Sequence, residues 1–156
     1  MTWAERLLRF ATGDRKPEVL DHLAAFQRGV LALAQALEAA GGEAPNVGAE
    51  GDLSALATAA RALVTAMTDA LQARGSSLAP VPPPVLNGAA RNHWARLVNA
   101  LEACRELRGR VERTTPRLLE LEPELAEPLR ELSAGLHTQL LGLRALIARA
   151  DPQALD

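Results

Sequence analysis

Apolar residues recur three and four positions apart along most of this chain, and that spacing predicts helices. Val19, Leu23, Phe26, Val30, Leu33 and Leu37 form one seam, within a helix predicted over 17–40 that opens on Pro17 and stops at Gly41-Gly42. The loop "GGEAPNVGAEG" follows, with Asp52 or Ser54 as candidate caps for a second helix over 52–74. Its seam is Leu53, Leu56, Ala60, Leu63, Met67 and Ala70. Residues 76–86, "SSLAPVPPPVL", interrupt the pattern, and their prolines favour an extended linker rising about 3.1 Å per residue. Asn87 is a candidate cap for a third helix over 88–113, whose inner face holds Ala90, Trp94, Leu97, Leu101, Cys104 and Val111. Thr115-Pro116 is read as the start of a fourth segment, with Pro123 and Pro128 disturbing its first part. From Leu125 a clean seam runs through Leu129, Leu132, Leu136, Leu140, Leu143 and Ile147, giving a helix over about 124–150.

These patterns predict an all-α fold. It is a four-helix bundle of long antiparallel or mixed helices, near-aligned and left-handed, with a short additional N-terminal helix at 2–12. That preface opens on the capping-box pattern Thr2 to Glu5 and ends at Gly13. Two readings of the long linker stay open: it joins two hairpins, or it carries the chain along the bundle if the second and third helices are parallel. The whole of 1–156 reads as a single domain.

The width of the apolar faces separates the helices. At 100° per residue the second and third confine their large apolar side chains to about 140–180°. Leu20 and Leu31 widen the first face to roughly 180°, and Leu119 and Leu141, both assigned to the fourth, take it to about 200°. The preface adds Trp3, Leu7 and Phe10 on one face, with Leu8 less central, against Glu5, Arg6 and Arg9. Surplus apolar surface of this kind calls for a cover, from the preface, a second copy or another protein's amphipathic helix.

Composition supports the helical reading. Tyr is absent, Ile147 is the only isoleucine, and Ala and Leu dominate. A net charge of −2 argues against a nucleic-acid binder, which needs a basic surface. The lone Cys104 excludes an internal disulfide and fits a reducing cytoplasm. No signal-peptide stretch or spanning segment is apparent, so the chain is expected to be soluble and cytoplasmic.

Candidate chemistry is sparse. His22, His93 and His137 fall on three helices, and none belongs to the Glu-x-x-His pairs of carboxylate-bridged metal bundles, so no metal or cofactor is inferred. Cys104 is about 16 Å along the helix from His93, too far for an activated nucleophile. Arg130 and His137 resemble, in spacing only, the Arg-x(4–6)-His motif of small helical HEPN nucleases. That resemblance implies a cationic Arg beside an acid–base His. The sequence "HTQLLG" from His137 lacks the lysine of phosphotransfer bundles. Arg91, Arg96, Arg105, Arg108, Arg110 and Arg113 scatter around their helix among glutamates, as on a solvated face. The leading expectation is therefore a non-enzymatic, self-associating interaction protein of adaptor or chaperone type. Trp3, Leu7, Phe10, Leu20, Leu31, Leu119 and Leu141 would form its partner surface. A ribonuclease using Arg130 and His137, and a lipid-surface binder using 2–10, are the alternatives.

Overall fold

The computed structural model describes residues 2–3, 16–76 and 92–150. These form α1 (Lys16–Gly42), α2 (Val47–Gln72), α3 (His93–Leu121), a 3-10 turn (Pro123–Leu125) and α4 (Ala126–Arg149), with no strand among the described residues. Helix α1 packs against α2 and α3, and α4 packs against the same two, so α1 faces α4 across one diagonal and α2 faces α3 across the other.

Cross-helix contacts fix the directions. Glu18 at the start of α1 pairs with Arg117 near the end of α3, and Glu43, just past α1, pairs with Arg96 near the start of α3. Asp52 of α2 pairs with Arg149 of α4. Helices α1 and α3 are therefore antiparallel, as are α2 and α4, and the two short hairpins make the remaining adjacent pairs antiparallel as well. Every packed pair has opposed dipoles, and only the diagonal pairs run parallel. Both readings of the linker are met: it stands between two hairpins, and the second and third helices are parallel. The chain leaves α2 at one end of the bundle and enters α3 at the other, and α2 alone is about 39 Å long at 1.5 Å per residue. The linker, like the preface beyond Trp3, lies outside the described residues.

Several boundaries differ from the sequence reading, each for a local reason. Helix α2 starts at Val47, not near 52, because the Asn46 side chain accepts the Ala49 N–H at 2.8 Å. Asn92 caps α3 in the same way through Ala95 N–H, whereas Asn87 lies outside the described residues. The largest departure is at Pro116, which starts nothing: α3 runs through it to Leu121. Thr114 and Thr115, just before the proline, donate their hydroxyls at 2.7 Å to the carbonyls of Arg110 and Val111. Beyond it, Leu118 is fully buried and Arg117 grips Glu18, so tertiary contacts hold the last turn. Leu119 therefore belongs to α3, not to the fourth helix. Pro123 opens the 3-10 turn, and Pro128 sits in the first turn of α4, where its missing N–H costs no bond.

The core is the predicted one over most of its length. Val19, Leu23, Phe26, Val30, Leu33 and Leu37 of α1 are buried against Leu53, Ala60 and Met67 of α2, Leu97, Cys104 and Val111 of α3, and Leu129 through Leu143 of α4. Leu56 and Leu63, also predicted as seam, sit at its edge. They fill notches on α4, where a Cβ added at Gly142 would stand 2.7 Å from Leu56 Cδ2 and one at Gly135 2.8 Å from Leu63 Cδ2. Gln139, fully buried, donates from Nε2 to the Leu56 carbonyl at 2.8 Å across the same interface. Two leucines seven apart thus meet two glycines seven apart.

Candidate functional site

The surplus apolar residues are placed unequally. Leu141 is 51% exposed on the outward side of α4, and Trp3 is 76% exposed, so neither is sealed in the core. Leu20 and Leu31 are half-buried on the flank of α1 that faces α2, the flank also marked by the Arg61–Glu38 ion pair. Leu119 is half-buried against the core in the last turn of α3, close to where α4 begins and far from Leu141. The structure therefore does not gather the predicted residues into one patch on α1 and α4, which sit across a diagonal. Leu7 and Phe10 lie outside the described residues.

What lies between the two flanks is α2, and its outward side went unread in the sequence. Ala55, Thr58, Ala59, Ala62 and Thr65 are all exposed there. Beyond the glycine-notched seam, α4 continues the surface with exposed Ala134, Thr138, Leu141 and Ala145. None of these side chains is charged. The ion pair Asp52–Arg149 bounds the surface at one end, and Asp69 and Glu131 bound it at the other. Helix α3 makes the contrast: its outward side carries the pairs Arg105–Glu102, Arg108–Glu112 and Arg110–Glu106, the solvated face its sequence suggested. A signal for the α2 surface was present in "LSALATAARALVTAM", where Arg61 is the one charge in fifteen residues. Small side chains add little to a tally of large apolar positions, so it escaped.

The candidate catalytic groups are not brought together. Arg130 is directed to Glu127, one turn earlier in α4, whereas His137 lies two turns later and is exposed. Cys104 is buried, donates weakly to the Leu136 carbonyl at 3.5 Å, and has its thiol pushed up to about 11 by burial, the reverse of nucleophile activation. Among the described residues no cluster of His, Cys, Asp or Glu is placed to hold a metal, and no helix is long and apolar enough to cross a membrane.

One concavity is well formed. At the bundle end where α2 and α3 begin and α4 finishes, a cavity of about 320 Å³ is lined by Pro45, Asn46, Gly48, Ala49, His93, Trp94, Leu97, Leu146, Arg149 and Ala150. Both ring nitrogens of His93 are buried without a hydrogen-bond partner and have no surface open to the cavity. Burial, reinforced by Arg96 and opposed by Glu43, holds this imidazole below its ordinary range and favours the neutral ring. No family model, curated protein or solved structure matches the chain.

Proposed function

We propose that this protein is a helical interaction module that self-associates through the uncharged face centred on α2. The observation that carries the reading is the continuous exposure of Ala55, Ala59 and Ala62 beside Leu141, with no charge among them and ionic residues at both ends. Small side chains let a partner helix approach closely, so contact is made by backbone-near atoms and a larger anchor, here Leu141. An uncharged core with a charged rim is the ordinary anatomy of a protein interface. Trp3 is exposed and of the residue type that dominates such contacts, so it is tested as a separate anchor.

Light scattering of the full chain beside Ala62→Glu and Leu141→Glu tests this. The parent chain is expected to run as a dimer or larger, and each variant, with a charge buried at the contact, as a monomer of unchanged helix content. A monodisperse monomer for all three would sink the proposal. A chain beginning at Asp14 separates the contribution of Trp3 and its neighbours from that of the α2 face. Anionic vesicles, in turn, distinguish a lipid surface from a protein as the target of Trp3.

A further inference from the structure

The end of the bundle that holds the cavity also holds a side chain whose surroundings suit only one of its charge states. His93 is the first residue of α3 and lines the cavity, yet neither ring nitrogen reaches the cavity or solvent, and neither has a hydrogen-bond partner. A neutral imidazole bears such a place at a cost. An imidazolium, with a full charge and two N–H donors to satisfy, does not. The backbone adds to the effect, because the start of a helix is its positive pole.

The surrounding charges do not reverse this balance. Among the described residues, Arg96 of the same helix opposes a proton on the ring, and Glu43, just past α1, favours one. Glu43 is already paired with Arg96 at 2.9 Å. Arg149 of α4 lines the same cavity, but it is paired with Asp52 of α2, and the two charges cancel toward the ring. A protonated ring therefore has to move. The cavity of about 320 Å³ beside it gives room to turn toward water, and Glu43, exposed at its carboxylate end, is the acidic group whose charge the ring feels.

We propose that His93 is an acid-sensitive latch on this end of the bundle. Neutral, it closes the junction between the α1–α2 turn and the start of α3; on taking a proton it swings toward Glu43 and the cavity, and the junction loosens. The latch does not depend on the α2 face. The folded ring resists a proton that the unfolded chain accepts at its ordinary value of 6.5, so protection is full above that pH and is lost as pH falls below it. Hydrogen exchange of the full chain, corrected for the pH dependence of the exchange chemistry itself, tests this from about pH 7.5 down to about pH 5.5. The amides of Ala49, Arg96 and Leu97 are expected to lose about tenfold in protection over that range, one proton being worth at most about tenfold per pH unit. Those of Leu118 and Leu132, at the other end of the bundle, are expected to hold. His93→Gln and His93→Leu, which have no proton to take, are each expected to keep protection constant. Glu43→Gln, which removes the carboxylate that favours the charged ring, is expected to deepen the loss. Unchanged protection in the parent chain, equal loss at both ends of the bundle, or the same acid loss in both His93 variants would each overturn the assignment.

Discussion

Gly135 and Gly142 show how one missing carbon makes room for a leucine of the facing helix. An alanine at 135 gains about 1 kcal/mol of helix propensity, yet its Cβ would meet Leu63 at 2.8, 2.9 and 3.3 Å, involving the whole isobutyl head. The clash is expected to win, so Gly135→Ala destabilises the chain by about 1 kcal/mol or more. In a Leu63→Ala background the obstacle is gone and the same substitution is expected to stabilise. Denaturant midpoints of the four chains check that reversal of sign; one sign in both backgrounds would mean that α2 and α4 are not held apart by this contact. Cys104 gives a second test. Its folded pKa, near 11, stands above the ordinary 9.0, so the folded state keeps a proton that the unfolded chain releases. The associated stability is fully present below about pH 9 and is lost as pH rises toward 11. Cys104→Ala is expected to abolish that alkaline decline, read as thermal midpoints across the window.

At the scale of the element, periodicity made the four helices and most of their buried faces legible, because large side chains at three-four spacing have few alternatives to a shared core. Ends were less legible. Asn46 and Asn92 are ordinary caps, but Asp52, Ser54 and Asn87 offered competing ones, and the choice depended on which turns tertiary packing could hold. Pro116 misled for a related reason. A proline is a reliable stop in an isolated helix, whereas here Leu118 and Arg117 are anchored beyond it. Pro116→Ala is expected to raise stability by about 1–2 kcal/mol, the restored backbone bond and helix propensity outweighing the freedom returned to the unfolded chain. Asn46→Ala is expected to cost about 1 kcal/mol. Urea unfolding checks both, and a proline variant no more stable than the parent would show that the missing bond to the Glu112 carbonyl costs little in this exposed turn. The candidate surface was legible only in part. Counting large residues found Leu141, but the exposed small side chains of α2 and the glycines of α4 that receive Leu56 and Leu63 become visible only when the helices are packed.

The packing order of the whole molecule decides what its surplus surface can do. Because α1 and α4 lie across a diagonal, their excess faces cannot merge, and the contact proposed above is centred on α2, one of the two helices between them. The stretch from Ala55 to Ala66 rises about 17 Å along α2, long enough to receive three turns of a partner helix. If a second copy supplies that helix, association and folding are linked, and the melting midpoint rises with protein concentration. A hundredfold increase is then expected to raise the midpoint of the parent chain by several degrees. Ala59→Glu, which places a charge at the centre of the face but outside the monomer core, is expected to remove that dependence. At the lowest concentrations, where the parent is dissociated, the two midpoints converge. Arg113→Asp serves as the control: it inverts an exposed charge on α3, on the far diagonal, and is expected to leave the concentration dependence intact. A parent midpoint that does not move with concentration places the face outside self-association. Equal loss of the dependence in both variants would trace association to net charge rather than to the surface of α2.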